Sequence, residues 1–287
     1  MKKCKVICLV LLTAVLLWSC GKAPANTTAT NTAPTDTVPA DTAPTESTGV
    51  TLYPNITECA VIEGILTEDD LLTGFPSQVV LSKQQESKDA NWALVVEIYS
   101  RSVFLQTVLD SNVIPLCHEN MMFLGDVDAD GIQEILIHHN TGGCGGSGSY
   151  QTWVLKAQGN DFQILFEADS QTQFDTGFES RFLEGYQMEV TNKFTGYTLV
   201  YDVKDRYGAY IDQAETMPDG QIFLDTFSVF EPKDTNGDGI SEILCKQYTS
   251  YIGRSDYTGT ACSVLKFNTE TQAFEVIDAW YEPNTEQ

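Results

Sequence analysis

GDVDADGIQEIL, Gly125–Leu136, decides how this chain is read, because it returns downstream as DTNGDGISEIL, Asp234–Leu244. Numbered from its first Asp, the upstream copy places Asp126, Asp128 and Asp130 at positions 1, 3 and 5, Gly131 at 6 and Glu134 at 9. The downstream copy keeps the spacing with Asp234, Asn236, Asp238, Gly239 and Glu242. Oxygen-bearing side chains at alternate positions converge when the chain curls round a point, and glycine permits the sharp turn. Crowded carboxylates repel unless a hard cation sits among them. Calcium fits such a set best, since it accepts six to eight oxygens in irregular geometry, whereas magnesium demands a stricter octahedron. The spacing therefore predicts two calcium sites, with the main-chain carbonyls of Ile132 and Ile240 as further ligands. Four carboxylates against three predict tighter binding at the first site. A helix–loop–helix calcium hand is excluded, because position 12 is Ile137 in one copy and Cys245 in the other.

Repetition extends beyond the acidic residues. Asp126 and Asp234 lie 108 residues apart, and TWVLKAQGNDFQILFEA after the first copy matches CSVLKFNTETQAFEVIDA after the second. Each copy reads as an acidic turn, a strand, a long loop and a hairpin. Plainer hairpins, WALVVEIYSRSVFLQTVL and YQMEVTNKFTGYTLVYDV, precede the first copy and separate the two. After Leu52 the chain is a run of short segments with alternating, β-branched and aromatic residues. Helical periodicity is confined to TEDDLLTGF, Thr67–Phe75, whose Thr and acidic residues open one short helix. The predicted fold is all-β, with about four units of some 54 residues, either propeller-like or an open stack of β-hairpin repeats.

An acidic D-x-D-x-D-G-x-x-D/E phrase ahead of an apolar strand resembles the calcium turns of FG-GAP and VCBS repeats, the blade motifs of the integrin alpha N-terminal-like β-propeller superfamily. The resemblance covers two windows of roughly thirty to forty residues. It implies a metal-bound β-turn on a propeller-like scaffold, and it leaves the biological role open, since such turns occur in adhesins, enzymes and architectural modules.

The first twenty residues, MKKCKVICLVLLTAVLLWSC, join a basic start to an apolar run too short to span a bilayer, the pattern of a secretory leader. Its end, Leu17-Trp18-Ser19-Cys20, resembles the bacterial lipobox, which implies a diacylglyceryl thioether and palmitate on Cys20, with the chain anchored at the outer face of the membrane. Residues 21–50 are rich in Thr, Ala and Pro with no apolar face, and they read as an extended tether. The remaining span, 51–287, is the predicted β domain. Without Lys2, Lys3 and Lys5 of the leader, 13 basic residues face 40 acidic ones, a formal charge of −27. Such a charge repels phosphate backbones, so nucleic acid is not a partner. It suits cations and neutral or basic surfaces.

Five cysteines, Cys59, Cys117, Cys144, Cys245 and Cys262, lie beyond the lipobox, an odd number for an oxidising compartment. Cys245 and Cys262 are the first disulfide candidates, from consecutive predicted strands, and Cys117 with Cys144 the second. TGGCGGSGSY, Thr141–Tyr150, has no Lys and no following helix to make a phosphate cradle, and it reads as a hairpin loop. Cys144 with His138 or His139 is a weak nucleophile set, because adjacent strand residues point to opposite faces. His118 and the Trp residues read as packing groups; Tyr248, Tyr251 and Tyr257, with Trp153 and Trp280, are alternatives for stacking on sugars. No catalytic set is nominated. The reading is a cell-surface lipoprotein whose calcium-stabilised β domain binds a glycan, cell wall or protein. The alternatives are an extracellular hydrolase or lyase acting on polysaccharide or peptidoglycan, and a structural subunit of an envelope assembly.

Overall fold

A computed structural model describes residues 55–113, 117, 121–142, 149–214, 218–252 and 256–284. The leader, Cys20, the tether, His118 and Cys144 lie outside the described residues. The domain is all-β, built from four antiparallel sheets whose strands follow one another in sequence. The first sheet holds β1 (Asn55–Gly64), β2 (Ser77–Gln85), β3 (Trp92–Tyr99) and β4 (Phe104–Val113), with a short helix α1 (Glu68–Thr73) between β1 and β2. The second holds β5 (Met122–Gly125), β6 (Glu134–Asn140), β7 (Tyr150–Gln158) and β8 (Asp161–Ala168). The third has β9 (Phe178–Leu183), β10 (Gln187–Asn192) and β11 (Thr198–Asp202), followed by helix α2 (Lys204–Gln213). The fourth holds β12 (Phe223–Lys233), β13 (Glu242–Ser250), β14 (Gly259–Asn268) and β15 (Ala273–Pro283). The four units anticipated from the repeat are therefore present. Strands β1, β2, β5 and β9 and helix α2 were not anticipated.

Strand alternation explains how the sheets pack, since successive side chains leave a strand on opposite faces. Ile135 and Ile137 of β6 and Trp153 and Leu155 of β7 join Leu81, Val96 and Ile98 of the first sheet in one core. Their neighbours Leu136 and Val154 point the other way, into a second core with Phe227, Phe230, Ile243 and Leu265 of the fourth sheet. The second sheet is thus covered on both faces. The third sheet packs Phe182, Met188 and Val190 against Tyr251, Ala261 and Tyr281 of the fourth. Among the described residues no core cluster joins the first sheet to the third or the fourth. The units form an open stack, the second of the two architectures the repeat allowed.

One junction recurs along this stack. Gln133 N donates to Ile65 O of the preceding unit at 2.7 Å, and Ser241 N donates to Asp126 O at 2.7 Å. Both donors immediately precede the residue that opens the second strand of their sheet. At the second of these junctions the backbones approach closely, because a Cβ on Gly125 would stand 2.7 Å from Pro232 Cβ and 2.9 Å from Ser241 Oγ.

The cysteine pairing differs from both sequence expectations. Cys59 of β1 is bonded to Cys117. Cys245 and Cys262 are free and buried. Cys245 stands opposite Ser263 in the β13–β14 ladder and Cys262 opposite Lys246, so the two thiols leave the sheet on opposite faces. They lie on neighbouring strands and cannot meet. The bond to Cys59 also removes Cys117 as a partner for Cys144.

Candidate metal centre

Strand β5 ends at Gly125 and β6 begins at Glu134, and these two residues pair in the ladder. The loop between them is wound by its own carboxylates. Asp126 accepts from Ala129 N (2.8 Å) and Gly131 N (2.9 Å), and Asp130 accepts from Ile132 N (2.9 Å). The second loop repeats this wiring: Asp234 accepts from Gly237 N (2.6 Å) and Gly239 N (3.0 Å), and Asp238 from Ile240 N (2.8 Å). Gly131 (φ 84) and Gly239 (φ 87) turn through the left-handed region, as their place at position 6 requires. Position 4 turns the same way, at Ala129 (φ 66) and Gly237 (φ 81). The glycine in the downstream copy was the available signal for that second turn.

Each loop closes over a buried glutamate. Glu134, fully buried, accepts Val127 N at 2.8 Å through Oε2, and Glu242, 1% exposed, accepts Thr235 N at 3.0 Å and the Thr235 hydroxyl at 2.6 Å. The first sheet carries the same device without the acidic phrase. Its β1–β2 connection, residues 65–76, is occupied by α1, and the buried Asp70 accepts Leu66 N and Thr67 N, each at 3.0 Å. Ser77, which pairs with Gly64 as Glu134 pairs with Gly125, donates its hydroxyl to Asp70 at 2.8 Å. Three of the four units therefore hold a carboxylate under the turn that opens their second strand. Sequence comparison missed the first, because a capped helix has replaced the acidic phrase.

The two acidic loops differ in electrostatics. At the first, one oxygen each from Asp126, Asp128 and Asp130 lie within 4.8 Å of one another, a grouping that could hold a metal ion. Asp128 Oδ1 and Glu134 Oε1 are buried and accept no hydrogen bond. Lys156, from the VLK of β7, puts its ammonium on Asp128 and Asp130 (2.6 Å to the latter) and 3.5 Å from Glu134 Oε1. Burial pushes the Glu134 carboxyl up to about 7, helped by the charges of Asp128 and Asp130 and opposed by Val127 N–H and Lys156. Burial alone would lower the Lys156 ammonium, but its bonds to Asp128 and Asp130 hold it above the usual lysine range.

At the second loop no carboxylate oxygen is stranded. The Asn236 amide donates to Asp238 Oδ2 (3.0 Å) and Glu242 Oε1 (3.4 Å), and Lys266, the counterpart of Lys156 in the second VLK, reaches Glu242 alone at 3.3 Å. Burial pushes Glu242 up, but the Thr235 hydroxyl and N–H and the Lys266 ammonium outweigh it and hold the carboxyl below its ordinary value. Neither lysine was among the sequence candidates, although the matched VLK triplets carried both.

Side-chain oxygens of Asp126, Asp128 and Asp130 thus lie together, and Glu134, the fourth residue of the expected set, is outside that grouping and joined to it through Lys156. Asp234, Asp238 and Glu242 stand in the same backbone wiring, but among the described residues their oxygens do not form such a grouping. Ile132 and Ile240 occupy position 7 of their loops, Ile132 with its side chain buried. Elsewhere, His139 is buried, and His138 stacks on Tyr150 at 4.4 Å with its Nε2 2.9 Å from Phe227 O. Thr141 N donates to Ser149 O at 2.9 Å, between the end of β6 and the start of β7; residues 143–148 of TGGCGGSGSY lie outside the described residues. Trp153 and Tyr251 are core residues, while Tyr248 and Tyr257 pack edge to face at 5.1 Å.

Residues 176–282 match the family model described as the YybI C-terminal domain. The match spans the third and fourth sheets and the second acidic loop, and it stops short of the first. The chain is also similar to the Bacillus subtilis (strain 168) protein named uncharacterized protein YybI, at 24% identity over 153 residues. That alignment takes in 51% of this chain and 57% of the relative, so the chain spans little more than half of the relative's length. No solved structure matches the chain.

Proposed function

We propose that the chain is a bacterial cell-surface lipoprotein whose β domain, stiffened by calcium at two acidic loops, binds an extracellular ligand: a glycan, the cell wall or a protein. Lipid on Cys20 anchors it to the outer face of the membrane. The Thr, Ala and Pro composition of residues 21–50 suits a tether between that anchor and the folded part. Calcium organises the loops and performs no chemistry. One observation carries the metal reading. Three aspartates of the first loop bring an oxygen each within 4.8 Å of one another, and at the same loop the wholly buried Glu134 has an Oε1, and Asp128 an Oδ1, that accept no hydrogen bond. Buried carboxylate oxygens are ordinarily satisfied, and a hard cation bound by Asp126, Asp128, Asp130 and Glu134 supplies what is missing. Asp234, Asn236, Asp238 and Glu242 form the second set, with the Ile132 and Ile240 carbonyls completing each.

The test is a glycan and peptidoglycan array probed with the full chain in detergent, in calcium and in chelator. The expected result is binding in calcium that chelator abolishes. Binding indifferent to chelator would remove calcium from the account, and turnover of a bound polysaccharide would favour the hydrolase or lyase alternative.

A further inference from the structure

We propose that Lys156 sets the cation affinity of the first acidic loop: its ammonium competes with the divalent ion for the same oxygens, and the ion enters as that side chain leaves the ring. This inference rests on the metal reading above. Lys156 Nζ already touches Asp128 and Asp130 and lies 3.5 Å from Glu134 Oε1, three of the four carboxylates assigned to the ion. An ammonium has three donors on a flexible stem and can satisfy at most three oxygens. It leaves Asp128 Oδ1 and Glu134 Oε1 without a hydrogen bond, the latter held only by a 3.5 Å ion pair, whereas a calcium ion takes six to eight oxygens at once. The two cations cannot share the ring, because charges a few ångströms apart in a partly dry site repel strongly.

The lysine has somewhere to go. The loop opens on a cleft of about 660 Å³ lined by Lys156 itself, by Glu68 and Asp69 of α1, and by Gln158, Asn160 and Gln163. The acids of α1 offer the displaced ammonium a new partner across the junction between the first and second units. Filling the first loop with metal therefore transfers a positive charge toward the neighbouring unit. The second loop lacks this device. Lys266 touches Glu242 alone, and its side chain is 40% exposed against 15% for Lys156. Charge counting ranks the first loop as the tighter; the resident ammonium works against that order.

The test is calorimetry on the full chain in detergent, in a D234A background so that the isotherm reports the first loop alone. Lys156→Met keeps the aliphatic stem and removes the charge, and it is expected to raise calcium affinity about tenfold or more. Thermal unfolding gives a second readout. K156M is expected to melt below its parent in chelator, where three of the four carboxylates lose the ammonium paired with them, and at or above it in saturating calcium. A purely structural lysine would lower both. If K156M folds poorly, Lys156→Arg serves instead: the guanidinium fork grips carboxylates more firmly, so weaker calcium binding is expected. Unchanged or weaker binding in K156M, or unchanged or tighter binding in K156R, overturns the inference and leaves the metal reading standing. A D234A protein that binds no calcium with or without K156M overturns both.

Discussion

At the residue scale the account turns on Glu134. Its carboxyl ordinarily titrates at 4.5 and is pushed up to about 7 in the fold by burial, with Asp128 and Asp130 adding to the effect. Without metal, the folded state between these values holds a proton that the unfolded chain has released. The stabilisation is therefore complete below about pH 4.5 and is lost as pH rises to about 7, by an amount on the order of 2–3 kcal/mol. Urea unfolding in chelator should show wild type losing stability relative to E134Q across that window. Calcium should remove the loss, because the ionised carboxylate is the form that binds it. A flat difference between the two proteins in chelator would contradict the burial argument. Asp234 shows the opposite case, since the N–H groups of Gly239 and Gly237 hold it below its ordinary value. These loop residues were legible in the sequence, since ligand spacing is a local property of a short turn. Lys156 and Lys266 were not, because what brings them to the loops is the pairing of β6 with β7 and of β13 with β14.

At the element scale, alternation of side chains carried most of the information. Strands such as β8 and β10 were readable from β-branched and aromatic residues alone, and the acidic opening of α1 announced its capping box, with Thr67 Oγ1 accepting Asp70 N at 3.2 Å. Register was not readable. Cys245 and Cys262 fall in adjacent strands, yet a one-position offset in the ladder sends their thiols to opposite faces. Both are pushed up by burial, Cys262 to about 12, which leaves them unreactive. The bond that does form, Cys59–Cys117, links positions 58 residues apart. By constraining the unfolded chain it should contribute roughly 2–4 kcal/mol. Replacing both cysteines by serine is expected to lower stability by that amount, and reductant should do the same to the wild type. If the double variant and the reduced protein match the untreated wild type in denaturant midpoint, the bond is not holding the first unit.

At the scale of the whole molecule, the repeat gave the number of units but not their neighbours. The second and fourth sheets touch although the third lies between them in sequence, because the apolar residues of β6 and β7 are divided between two faces and demand a cover on each. Composition records how much apolar surface exists and is silent about which sheet covers it. The junction beside Gly125 has no room for a side chain, so Gly125→Val should push Pro232 and Ser241 away and cost about 2 kcal/mol or more in unfolding experiments. A neutral G125V would mean that the second and fourth sheets are not held as described. The same junction ties the first acidic loop to the second through Ser241 N and Asp126 O, which places both proposed ions on one continuous stretch of the stack. The most direct test of the account is therefore calcium titration calorimetry of the chelator-stripped full chain, alongside its D126A and D234A variants. The expected result is two ions per chain, with each substitution removing one. A stoichiometry that neither substitution changes, or no binding at millimolar calcium, would contradict it.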